Sequence, residues 1–298
     1  MYFTLFLYFE SRVIIPKKLN IIFIDKILNF TLRFSLLITI FHLLIHFKES
    51  QRGWVWPINI ALQELVLICL LFSQITLFGL SKSKYNILLF LLILVFRESG
   101  KAAFFSFGLF ILIYSFSKNS LPKTSFFTFL TKLIIFVNYF VLLVGVLLFK
   151  SINSPFASNT ILAYIINKRF TLIKESFIKI SNLDFFLWGG GFGTENYLAD
   201  IKLSINNTPQ FLILTLTVYG GLLFTIFFFY LFMKYRNLIL KKFNDNERLQ
   251  YLVKAFFFVL IFMLSFHEYF NNPILIFAIS FFIYSLNIKS QLKFNEKS

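Results

Sequence analysis

The sequence predicts an all-α, polytopic integral membrane protein with about eight transmembrane helices and one long periplasmic loop. Three observations carry this prediction. Of the 298 residues, 58% are hydrophobic and only 14% are charged, whereas a soluble domain carries roughly 25% charged residues. The apolar residues cluster in long runs, and the mean hydropathy is +0.78. The net charge of +16 sits in short connectors between those runs, where the positive-inside rule puts basic residues. Soluble enzymes, secreted disulfide scaffolds and disordered chains are excluded, and nucleic acid is not an expected partner. The lone Cys69 allows no internal disulfide and no thiolate metal cluster.

The opening run Met1–Phe9 is too short to span and lacks the basic start and cleavage site of a signal peptide. A spanning helix needs about 20 mostly apolar residues. Such runs occur at Ile27–Phe47, Val55–Leu80, Tyr85–Phe96, Ala102–Phe116, Leu133–Phe149, Gln210–Met233, Ala255–Phe270 and Pro273–Leu286. The third, fourth and eighth are short. The third and fourth flank the polar knot Arg97-Glu98-Ser99-Gly100-Lys101, so a single re-entrant hairpin over 85–116 is the alternative. That hairpin would leave an odd number of spans and expel either the 234–254 connector or the N-terminal basic cluster, so it is rejected. With eight spans and both termini cytoplasmic, 18 Lys and Arg face inward. The short outer connectors hold four, Lys48, Arg52, Arg97 and Lys101. The six basic residues of the outer loop do not count against this, because long loops translocate largely regardless of charge. The chain therefore reads as one polytopic domain, 1–298, with an extracytoplasmic loop at 150–209. Within the loop, Ile161–Ile180 has the apolar spacing of a helix lying on the membrane surface. Asn182 and Asp184 then introduce a glycine cluster.

The residues that could carry chemistry lie mostly outside the spans. Arg97 ends a short span beside Glu98 and Lys101, poised for a headgroup or phosphate; a snorkelling helix end is the alternative. Arg169, in Asn167-Lys168-Arg169-Phe170, can hold phosphate oxygens bidentately or bind anionic lipid with its basic neighbours. Gly189-Gly190-Gly191-Phe192-Gly193 can form a nest of backbone N–H groups for an anion, or a tight turn with positive φ. Asn206-Asn207-Thr208-Pro209 suits the start of a helix. Gly220-Gly221, about ten residues into that helix, would admit a close helix contact. Glu64, beside Gln63 and with Gln74 beyond, lies inside the second span and needs a polar cavity, a partner or a proton. His42, His46 and His267-Glu268 are read, like Glu64, as structural pairing or interface anchors. Two His four residues apart, with no third ligand, do not make a metal site.

This order of features resembles the bacterial O-antigen polymerase and O-antigen ligase superfamily. The resemblance covers roughly Asn86 to Met233. It rests on the arginine-bearing knot Arg97–Gly100, Arg169 early in a long outer loop, Gly191–Gly193 about 20 residues on, and Asn206-Asn207 before a helix carrying Gly220-Gly221. It implies a metal-independent membrane glycosyltransferase with no cofactor. The donor would be an oligosaccharide on undecaprenyl pyrophosphate, attacked by a hydroxyl of an acceptor repeat at the periplasmic face. Carried over by position, Arg97, Arg169 and Asn207 are the catalytic set, and Lys101, Gly191, Gly193 and Asn206 contact substrate. Fixed cations would stabilise the charge that the leaving pyrophosphate gains. Ligases carry an essential His where this chain has Asn206-Asn207, which argues for a polymerase and leaves the base among Glu98, Glu195 and Asp200. Membrane lipid, a flippase and a chain-length regulator are the further partners implied. A flippase or transporter of lipid-linked glycan is the competing class, favoured by inverted repeats or broken helices. A scaffold without chemistry is the third.

Overall fold

The computed structural model describes residues 21–45, 60–96, 101–116, 125–148, 176–178, 180–191, 212–266 and 273–295. All regular structure among them is helical. The helices are α1 (Ile21–Ile45), α2 (Ile60–Phe96), α3 (Lys101–Phe116), α4 (Ser125–Leu148), α5 (Leu183–Trp188), α6 (Leu212–Lys242), α7 (Glu247–Phe266) and α8 (Pro273–Asn295). Where they fall within the described residues, the eight long apolar runs lie on helices. Among the described residues four stretches are long and apolar enough to cross a membrane: Leu62–Val95, Phe126–Val146, Leu212–Lys242 and Glu247–Ser265. Ala103–Ser115 and Ile274–Ser290 are apolar but shorter.

The surface explains where those helices belong. On α1, Leu28, Leu32 and Leu36 are buried, while Phe30, Phe34, Leu37, Phe41 and Leu44 form an exposed stripe at helical spacing. On α4, Phe129, Phe136 and Phe140 are likewise exposed. Monomers in water rarely show contiguous apolar faces of this kind; hydrocarbon accepts them. The protein is a helical membrane protein.

One helix by its hydrogen bonding, α2 is two by its path. Gly79 inside it has φ 81° and ψ 173°. Asn86 Nδ2 donates to Gln74 Oε1 at 3.1 Å, a contact twelve residues apart that a straight helix would hold roughly 18 Å apart. The chain therefore folds back at Gly79, and the polar stretch Ser81–Lys84 forms the tip. Each arm, 60–78 and 80–96, covers most of a ~30 Å hydrocarbon core at about 1.5 Å per residue. The break frees carbonyls that others satisfy: Lys289 Nζ of α8 donates to Leu77 O at 3.1 Å, and Ser83 Oγ to Gly79 O at 2.9 Å.

The chain divides into two compact units. The first comprises 1–128, 236–263 and 269–298, and the second 129–235 and 264–268. In the first, Phe72 on the outgoing arm of α2 packs on Phe107 and Phe110 of α3, Phe256 of α7 and Phe282 of α8. Aromatic pairs of this sort each add about 0.5–1.5 kcal/mol beyond area burial. Nearer the fold-back, Asn29 Oδ1 of α1 accepts from Gln74 Nε2 at 2.6 Å and from Asn86 Nδ2 at 3.3 Å. Asn29 Nδ2 donates to Asp25 at 2.7 Å. Arg248, early in α7, donates to Tyr114 Oη, late in α3, at 2.9 and 2.7 Å. These contacts bring to one end of the unit the start of α1, the Lys82–Lys84 tip, the C-terminal turn of α3, the α6–α7 turn and the Lys289 end of α8. Asn246 caps α7, its Oδ1 accepting from Leu249 N at 3.2 Å.

Candidate functional site

The second unit holds the described part of the 150–209 segment, residues 176–178 and 180–191, and the first part of α6. This segment is anchored twice, both times on a glycine. Helical backbone at 176–178 carries Phe177, 2% exposed, whose ring fills the place where a side chain at Gly145 of α4 would stand. Asn182 then caps the short α5, its Oδ1 accepting from Asp184 N at 3.0 Å. Gly189 ends α5 with φ 71°, its N–H donating to Phe185 O. Trp188 just before it is 68% exposed, the placing of an interfacial tryptophan.

Immediately beyond Gly189 the loop meets a break in α6. Gly221 has φ 71° and ψ −178°. Thr217 Oγ1 and Thr225 Oγ1 lie 3.2 Å apart, eight residues apart along a helix that would separate their Cα atoms by about 12 Å if straight. The break leaves the last carbonyls of the first half without helical donors. Gly190 N donates to Val218 O and Gly191 N to Tyr219 O, both at 2.8 Å. A side chain at Gly221 would overlap the Leu187 carbonyl, and one at Gly189 would strike the backbone of Tyr219, Gly220 and Gly221. The two glycine pairs let two backbones approach where no larger residue fits.

Three expectations are corrected here. Gln210–Met233 is not one unbroken helix, because α6 bends at Gly221. Gly220-Gly221 admit the glycine turn of the loop rather than the side of another helix. The amides of Gly189, Gly190 and Gly191 all donate to protein carbonyls, so these three are engaged in structure and not in an anion nest.

Around the break the first half of α6 is enclosed: Leu212, Leu214, Leu216 and Val218 are each at most 2% exposed, as are Thr215 and Thr217. Thr217 Oγ1 donates to Ile213 O and Thr225 Oγ1 to Gly221 O. Buried hydroxyls that back-bond to the preceding turn keep a bent helix free of orphaned polar atoms. Asn138 Nδ2 of α4 donates to Ser265 Oγ at 2.9 Å, a further polar tie within the unit. Sequence reasoning passed over Phe177, Gly145, Thr217 and Thr225. The only signal for the first two is a lone Gly within an apolar helix.

Of the predicted site residues, Gly191 lies in the clamp and Lys101 is the first residue of α3. Arg97, Arg169, Gly193, Asn206 and Asn207 lie outside the described residues, as do Glu98, Glu195 and Asp200. His46, His267 and Glu268 also fall outside them, while His42 stands on α1. The polar residues of the second span pair internally: Gln63 Nε2 donates to Ser35 O at 3.2 Å, Gln74 joins the Asn29 network, and Glu64 is 1% exposed. Cys69 is buried and free. Among the described residues no three His, Cys, Asp or Glu are grouped to hold a metal.

No protein-family profile matches this chain, and no curated protein or solved structure matches it either. What the fold and site establish is therefore a helical membrane protein in which the glycine turn at 189–191 is held on a broken helix.

Proposed function

We propose that the chain polymerises lipid-linked oligosaccharide repeat units of O-antigen or capsule type, as a metal-independent glycosyltransferase of a bacterial inner membrane. It would transfer the growing glycan from undecaprenyl pyrophosphate to an acceptor repeat at the periplasmic face. The observation that carries the reading is the clamp of Gly189–Gly191 on Gly220-Gly221. Two of the separate features behind the resemblance are thus one built object, and it pins the loop to α6 at Gly189–Gly191. A loop pinned to a helix is what a catalytic loop on a rigid scaffold needs. In this reading Arg97 and Arg169 hold the pyrophosphate, Lys101 and Asn206 attend it, Asn207 orients the acceptor, and Gly191 and Gly193 shape the site. Counting the two arms of α2 separately, the described residues hold eight apolar helical stretches, which supports a layout of eight spans. The basic ends gathered at one end of the first unit support cytoplasmic termini by the positive-inside rule.

The broken helices α2 and α6 favour a second reading, a flippase of lipid-linked glycan, because transporters build midplane sites from such helices. One experiment separates the two. After gene deletion, the surface polysaccharide is resolved on a gel, with complementation by wild type, Arg97→Ala and Arg169→Ala. The polymerase reading expects lipid A-core capped by a single repeat, with neither alanine variant restoring the ladder. Loss of long and short caps together, with lipid-linked repeats accumulating inside, would support the flippase. An unchanged ladder removes both.

A further inference from the structure

We propose that Arg236 and Lys254, with the hydroxyl of Tyr251, form a second site for a phosphate group, separate from the loop and independent of the polymerase reading. Arg236 is 2% exposed, and its partners are neutral. Nη2 donates to Thr128 Oγ1 at 2.6 Å and Nη1 to Asn237 Oδ1 at 3.3 Å. Its Nε is buried with no hydrogen-bond partner among the described residues. Lys254, half-buried one helix over, is close enough for its charge to act on Arg236. Two cations held together away from water repel each other and lose hydration, a heavy penalty unless an anion joins them.

The neighbouring groups suit a phosphate. Tyr251 is 0% exposed and its hydroxyl lacks a partner among the described residues. It precedes Lys254 by three residues on α7, so both lie on one face. Its ring packs at 5.4 Å on Phe127, the residue next to the Thr128 that holds Arg236. The unused Nε–H beside an Nη gives the guanidinium fork that grips phosphate oxygens bidentately. An ammonium and a phenol add two further donors. Exposed Arg248, bonded to Tyr114, whose ring lies 6.0 Å from that of Tyr251, adds positive potential near the cluster. Arg236 lies six residues before the end of α6 and Lys254 seven after the start of α7. That is roughly 10 Å in from the helix ends at about 1.5 Å per residue, a depth that the phosphate of a lipid headgroup or a free phosphate can both reach.

The test uses the full chain, stripped of lipid, in an uncharged maltoside detergent, and reads its thermal midpoint. One arm adds inorganic phosphate at constant ionic strength; the other adds phosphatidylglycerol to the micelles. A rise of about 4 °C or more in the first arm identifies a free phosphate, and a rise in the second alone identifies a lipid phosphate. Arg236→Gln is expected to abolish the rise, and Lys254→Gln to halve it or more, while Lys82→Gln, at an exposed tip, keeps it. Should Arg236→Gln fail to fold, Lys254→Gln alone decides. No rise in either arm, or a full rise in Lys254→Gln, overturns the proposal.

Discussion

Gly79 and Gly221 share nearly one backbone conformation, with φ 81° and 71°, yet they stand in different surroundings. A methyl at Gly79 meets nothing within 4 Å, whereas one at Gly221 runs into the Leu187 carbonyl. Gly79→Ala therefore suffers only the cost of a backbone region that glycine alone readily adopts, about 1–3 kcal/mol. Gly221→Ala adds the overpacking of a backbone that cannot retreat, about 1–3 kcal/mol more, and also loosens the two glycine hydrogen bonds. Gly108, in ordinary helical conformation with open space around it, is the control: alanine there is neutral or stabilises by up to ~1 kcal/mol. Thermal unfolding of the purified chain by far-UV circular dichroism ranks the three. Equal midpoints for Gly79→Ala and Gly221→Ala would mean that the clamp on α6 is loose. The sequence signals glycine but not its φ, since that is set by whichever backbone approaches. Hence Gly220-Gly221 read as a helix-contact pair, and their partner, the turn at Gly189–Gly191, was legible only as a separate motif.

Helices were far more legible than their bends. The described parts of the eight long apolar runs are helical, because in a bilayer the backbone must satisfy itself and helix is the simplest way to do so. The fold-back of α2 was readable too, since Ser81–Lys84 is polar and flanked by two apolar runs. The bend in α6 was not, because Gln210–Met233 is evenly apolar and hydropathy is blind to a break whose carbonyls are satisfied by a loop far along the chain. The hairpin's own polar tie can be measured. Gln74→Leu strands Asn29 and Asn86 among apolar neighbours and should destabilise by about 1–3 kcal/mol. Because the amides share partners, Gln74→Leu with Asn86→Leu should lose less than the sum of the singles. Strict additivity in chemical or thermal unfolding would show that the network is two independent contacts.

Charge suggests a topology, and chemistry is less legible still. Of the basic residues that the sequence assigns to one side, Lys82, Lys84, Arg248 and Lys289 lie at one end of the first unit, through Asn29–Gln74, Lys289–Leu77 and Arg248–Tyr114. The arginines assigned to catalysis rest on the resemblance and on spacing, and no pattern of spans fixes where a loop's side chains converge. Labelling tests the arrangement: in a Cys69→Ser background, Ser81→Cys and Asn244→Cys, both at exposed positions, should react with a membrane-impermeant maleimide in inverted vesicles and not in intact cells. Reaction of the two from opposite sides would break the shared end. Native Cys69, 1% exposed, should stay unmodified until the chain unfolds. The fold-back at Gly79 also constrains how the chain is made. While a ribosome has delivered only the first arm of α2, Gln74 has Asn29 for company but lacks Asn86, and the Leu77 carbonyl awaits a lysine from the far end of the chain. The arms thus gain most by entering the bilayer as a pair, and the break at Gly79 is completed only when α8 arrives, so a lysine made 212 residues later closes a joint laid down in α2.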